Sequence, residues 1–177
     1  MAKKSNKGKL MGIIGNAVTM IFAVCALALM ALPMLAQIST IADKTDRTSL
    51  DSVFSYMGNV SDADGTSKGA LVMFILVAIV ASLLIVSAIV GLVGVFMGNK
   101  KLNMSLVNKI LAHVLVVVAL VAMILTIAAA ADGLFNFSSS IIPASTKTVA
   151  DAGAVLPLVF GLFAVVGAFL TPSKKRS

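Results

Sequence analysis

The 177-residue chain is 59% hydrophobic and 12% charged, with a formal net charge of +7 and a mean hydropathy of +1.07. Soluble domains carry about 45–50% apolar and about 25% charged residues, so this composition excludes an ordinary soluble domain, and its hydrophobicity excludes a disordered one. The basic residues form short flanks of apolar runs instead of one basic face, which points to the lipid bilayer as a partner and away from nucleic acid.

Residues 1–9 form a basic tail with Lys3, Lys4, Lys7 and Lys9. The first apolar run covers 10–41, interrupted only by Asn16, Thr19, Pro33, Gln37, Ser39 and Thr40. A spanning helix needs about 20 apolar residues, and a signal-peptide core has only about 7–15, so the run predicts a retained transmembrane helix. Pro33 frees the carbonyl of Leu29, and Pro157 later frees that of Gly153, so both prolines are expected to kink their helices. The first helix is expected to project past Pro33, where polar residues become more frequent.

A polar stretch, 43–68, follows and holds five Asp. Within it Leu50, Val53, Phe54 and Met57 fall at i, i+3, i+4 and i+7. That spacing predicts a short amphipathic helix capped by Ser49 and closed by Gly58, an interaction element on the outer face.

The second apolar run is 70–97. Its Ser87-xxx-Gly91 and Gly94-xxx-Gly98 pairs place small residues on one helical face, the pattern of close helix packing or self-association in lipid. A basic turn leads to the third run, 106–131. Asn108 is expected to hydrogen-bond with Asn16 between helices. His113, the one histidine, lies a turn after Lys109 and reads as an interfacial residue bonded to backbone or headgroup, with Lys109 snorkelling to the membrane surface. After a second polar loop, 132–147, the Thr148-x-x-Asp151 pattern resembles a capping box and predicts a fourth helix over 148–170. Residues 172–177 form a second basic tail.

The expected architecture is an all-α integral membrane protein, with four transmembrane helices bundled in one domain over 10–171 and a short amphipathic helix in the first outer loop. Ten basic residues and no acidic ones flank one side of the spans. The two loops and Asp151 carry all seven Asp against four basic residues. By the positive-inside rule both termini are cytoplasmic.

No Asp or Glu lies within the apolar core of any span, and the Asp residues lie on the side opposite His113, so a Ser–His–Asp triad is excluded. One His and one Cys, Cys25, cannot make a usual zinc site, and no phosphate-binding glycine loop occurs. No enzyme activity, cofactor or metal is therefore expected. The reading is a non-enzymatic membrane scaffold or accessory subunit, working through helix–helix and outer-loop contacts with itself or another membrane protein. The alternative is a homo-oligomeric channel or small transport subunit. A prokaryotic plasma membrane is the expected location, since no eukaryotic targeting signal is evident.

Overall fold

The structure, a computed structural model, describes residues 2–41, 44–58, 63, 65–99, 102–131 and 147–172. Helix α1 (Ala2–Ala28) ends in a 3₁₀ turn at Leu29–Ala31 and leads into strand β1 (Leu35–Ile41). Strand β2 (Lys44–Ser49), helix α2 (Val53–Gly58), helix α3 (Gly65–Phe96) and helix α4 (Ser105–Ala131) follow. Strand β3 (Lys147–Ala150) and helix α5 (Ala152–Leu170) complete the described chain.

The described residues are mostly helical, and four helical segments among them are long and apolar enough to cross a membrane: Lys7–Ala31, Gly65–Phe96, Ser105–Ala131 and Ala152–Leu170. Their burial is inverted relative to a soluble core. The α1 stripe Gly12, Gly15, Asn16, Thr19, Ala23 and Ala26 turns inward at helical spacing, as do Ala112, Leu115, Ala119 and Ala122 of α4. Large residues such as Val86, Val117, Ile124 and Phe169 stay more than half exposed. Small residues let backbones approach, while the large ones suit a lipid surface.

The fold is not all-α. A three-stranded antiparallel sheet in the order β2-β1-β3 joins three separate segments. The first span accordingly stops at Ala31 and does not run on to 41. Leu32 is already extended at φ −76° and ψ 160°, as the steric bulk of a following proline favours. Beyond it, Ile38, Thr40 and Ile41 bring β-branched side chains, which suit a pleated strand. Pro33 therefore kinks no helix; it sits after α1 in an isolated bridge with Ser52. Pro157 does lie inside α5. The fourth helix starts at Ala152, not at Thr148, because Lys147–Ala150 pair with Leu35–Ile38. At the other end of the chain, the basic residues 2–9 continue α1. Most of the second polar loop, 132–146, and the tail 173–177 lie outside the described residues.

By backbone contacts the chain divides into two compact units. The first comprises Met1–Leu27, Val77–Val117 and Leu158–Ser177; the second comprises Ala28–Leu76 and Val118–Pro157. In sequence the first unit holds ten basic residues and no acidic one, whereas the second holds all seven Asp and four basic residues.

Within the first unit α1 and α5 pack antiparallel through two Gly-xxx-Thr pairs. A Cβ on Gly15 would strike Thr171 and the Gly167 carbonyl, and one on Gly167 would lie 2.6 Å from the Thr19 nitrogen. Phe22 of α1 stacks on Phe163 of α5 at 5.1 Å between ring centroids, extending the same contact. Within the second unit, Gly153 lies against the carbonyls of Leu32 and Pro33, and its N–H donates to the Pro33 carbonyl at 2.8 Å.

Candidate functional site

The polar interior of the first unit is a directed hydrogen-bond chain across three helices. Ser87 Oγ of α3 donates to Asn108 Oδ1 of α4 at 2.6 Å, and Asn108 Nδ2 donates to Asn16 Oδ1 of α1 at 2.7 Å. Asn16 Nδ2 then donates to the Gly12 carbonyl at 2.8 Å. A carbonyl can only accept, so this last bond fixes the orientation of both amides. Both Asn side chains are buried, where an unpaired amide would cost about 1–3 kcal/mol. The asparagine pair expected from the sequence is thus present, with Ser87 as its third member.

Glycine makes the chain possible. A Cβ at Gly91 would lie 2.6 Å from Asn16 Oδ1, and one at Gly94 would lie 2.7 Å from the Leu102 carbonyl oxygen. Beside Asn16 a cleft of about 370 Å³ is bordered by Lys9, Gly12, Gly94, Asn103 and Thr171. Its rim is tied by Ser105 Oγ, which donates to the Thr171 carbonyl at 3.0 Å, while Asn103 Oδ1 caps α4 by accepting from the Ser105 N–H.

Of the small-residue face expected on the second span, Ser87, Gly91 and Gly94 are covered by other segments of the same chain. Gly98 faces open space at φ +66° and ends the helix, the left-handed position that glycine occupies without strain.

On α4, His113 Nδ1 lies 2.6 Å from the Lys109 carbonyl oxygen. The Lys109 ammonium stands 5.2 Å from the centre of the Phe169 ring of α5, and His113 meets that ring edge-on at 5.6 Å.

In the second unit the sheet carries an ionic knot. Arg47 Nη2 lies 2.7 Å from Asp151 Oδ1, and Ser49 Oγ donates to Asp151 Oδ2 at 3.4 Å. Asp151 Oδ1 also accepts from the Ala152 N–H at 2.8 Å, so one carboxylate joins the sheet to the start of α5. Helix α2 is capped by Ser52, whose Oγ accepts from the Ser55 N–H; Ser49 ends β2 instead. Val53 and Tyr56 face inward, Leu50 and Met57 are half-buried, and Phe54 is 41% exposed. Burial raises the Tyr56 phenol above its ordinary pKa, and the nearby Asp51 charge adds to the shift.

Among the described residues no group of three His, Cys, Asp or Glu side chains could hold a metal. The sequence signal for the α1–α5 contact was the spacing Gly167-xxx-Thr171, hidden because Thr171-Pro172 also reads as a helix stop. No known family model matches the chain, and no curated protein matches it.

Proposed function

We propose that this protein is a non-enzymatic scaffold or accessory subunit of the plasma membrane of a prokaryote. In this reading both termini face the cytoplasm and the sheet-bearing second unit contributes the outer contact surface. The observation that carries it is how the interior polar groups are used. Among the described buried polar side chains, all but Ser67 hydrogen-bond to the chain's own backbone or to another helix of the same chain. They serve packing. Function then falls to the surface, where β2 exposes Asp46, Arg47, Thr48 and Ser49 and α2 exposes Phe54. The charge division supports the orientation, because basic flanks are retained on the cytoplasmic side.

The test is the mass of the protein extracted directly into native nanodiscs. Co-extraction of a second membrane protein, or a defined homo-oligomer, is the expected result. Phe54→Asp should weaken that assembly by a factor of about 10 or more, since losing a central aromatic contact costs about 2 kcal/mol. A lone monomer would overturn the reading. The cleft beside Asn16 favours a second reading, a homo-oligomeric channel or small transport subunit. Ion flux through the purified protein in planar bilayers would select it.

A further inference from the structure

We propose that the cleft beside Asn16 is a binding site for a phosphate monoester of a short polyol, with the phosphate at Lys9 and a second oxygen of the ligand at Asn16. The inference needs only this cleft, and it holds whether the chain serves as a scaffold or as a transport subunit.

Size and hydrogen-bond accounting point to a ligand. At about 370 Å³ the cleft falls in the range of about 300–1,000 Å³ typical of small-molecule sites. The carbonyls that end the neighbouring helices are already used. Those of Gly94 and Val95 accept from the N–H groups of Asn99 and Gly98, and that of Thr171 accepts from Ser105 Oγ. The donors are not. Asn16 Nδ2 carries two hydrogens and spends one, on the Gly12 carbonyl, although the side chain is only 1% exposed. Lys9 is exposed at the rim, and its unit contains no acidic side chain. A pocket with spare donors in a positive field takes an acceptor-rich anion.

Spacing sets the length of that anion. Lys9 and Asn16 are seven residues apart on α1, so they share a helical face and stand about 10 Å apart along its axis. No inorganic ion touches both. The ligand needs an acid group at one end and an oxygen several bonds away. Ten basic residues and no acidic one in the unit favour a phosphate monoester, which carries about −1.5 to −2 at pH 7, over a singly charged carboxylate. Gly8 and Gly12 on α1, with Gly94 and Gly98 facing them, leave much of the wall bare of side chains, so a polyol can lie along the backbone. Glycerol 3-phosphate is the simplest molecule of this kind, and phosphatidic acid presents the same group from a membrane.

The experiment is calorimetric titration of the full chain in neutral detergent with glycerol 3-phosphate, with dioctanoyl phosphatidic acid and with inorganic phosphate. One saturable site is expected for at least one of the two esters, about five-fold tighter than for inorganic phosphate, which forfeits the hydrogen bond at Asn16. Binding of glycerol 3-phosphate identifies a soluble ligand, and binding of the lipid alone identifies a membrane one. Lys9→Gln should weaken binding about ten-fold, the loss of one hydrogen bond between charged groups, and Lys9→Arg should restore most of it. A Cβ on Gly8 meets nothing within 4 Å, so Gly8→Leu narrows the cleft without a clash and should abolish binding with the thermal midpoint unchanged. Unchanged affinity in Lys9→Gln, or no preference for either ester over inorganic phosphate, overturns the proposal. An equal loss in Lys7→Gln also overturns it, by showing a diffuse field and no site. A lone monomer in the nanodisc test would count against the scaffold and leave these affinities untouched.

Discussion

The two compact units satisfy their polar groups in different ways. The first closes its helices with absent side chains and buried amides: Gly15 against Thr171, Gly167 against Thr19, and Gly91 under the Asn16–Asn108 pair. The second holds the strands, and its backbone groups are satisfied by a ladder. The division follows from backbone proximity alone, yet it also separates the charges, since no Asp falls in the first unit and all of them fall in the second. Irregular or extended backbone is not tolerated against lipid, where each unpaired group costs several kcal/mol. Strands and carboxylates both need water or a dedicated partner nearby, which is a physical reason for them to share a unit.

The largest expected effect comes from the tightest backbone approach in the second unit. Gly153→Val drives a side chain onto the carbonyls of Leu32 and Pro33, which cannot move aside as a flexible side chain could. A loss of about 3 kcal/mol, the upper end of ordinary overpacking, is expected in thermal unfolding of the detergent-solubilised protein. Hydrogen exchange sharpens the comparison. Protection should fall first at β1 and β3, and equal loss along residues 10–20 would show that the two units open together.

Asn108→Ala is the corresponding break in the first unit. It strips the partners of Ser87 and Asn16, and about 2 kcal/mol of destabilisation is expected. A double-mutant cycle with Asn16→Ala should return a coupling near 0.6–1.7 kcal/mol, the range found between polar side chains of membrane helices. A coupling of zero would mean that the glycine contacts alone close this unit.

Asp151→Ala should cost about 1 kcal/mol. It removes a helix cap and an ion pair whose Arg47 side chain is 56% exposed and therefore contributes little. Smallest in energy, and cleanest to read, is the phenol of Tyr56. The chain has one Tyr and no Trp, so absorbance in the near ultraviolet follows this single group. Its midpoint should lie above the ordinary value of about 10. The folded state favours the neutral phenol, so this contribution to stability is complete below that ordinary value and fades as pH rises through the raised one. A midpoint at or below the ordinary value would show that α2 is not packed as described.

Much of the helical layer was legible because about 20 consecutive apolar residues admit few other structures in a membrane protein. The asparagine pair was legible too, since two amides in apolar helices need partners. The sheet was not. Its strands come from 35–41, 44–49 and 147–150, and no local period announces a pairing across more than a hundred residues. Local signals there were ambiguous. Ile38-Ser39-Thr40-Ile41 extends an apolar run but is β-branched, and Thr148-x-x-Asp151 has the shape of a capping box although only Asp151 caps. The stripe Ser87, Gly91 and Gly94 could be placed on one helical face from spacing alone, but spacing does not reveal which segment covers it.

Strand β2 lies at one edge of the sheet, and an edge ordinarily invites further strands. The Leu50 N–H donates inward to the Leu35 carbonyl, so by antiparallel alternation the N–H of Arg47 points away from β1. That outward donor is already taken by the Asp46 carboxylate at 2.9 Å. An incoming strand would have to displace its own chain's side chain and face a negative charge where it needs a donor. Asp46 therefore blocks strand addition at the Arg47 position of this edge, where an incoming carbonyl would need the donor it occupies.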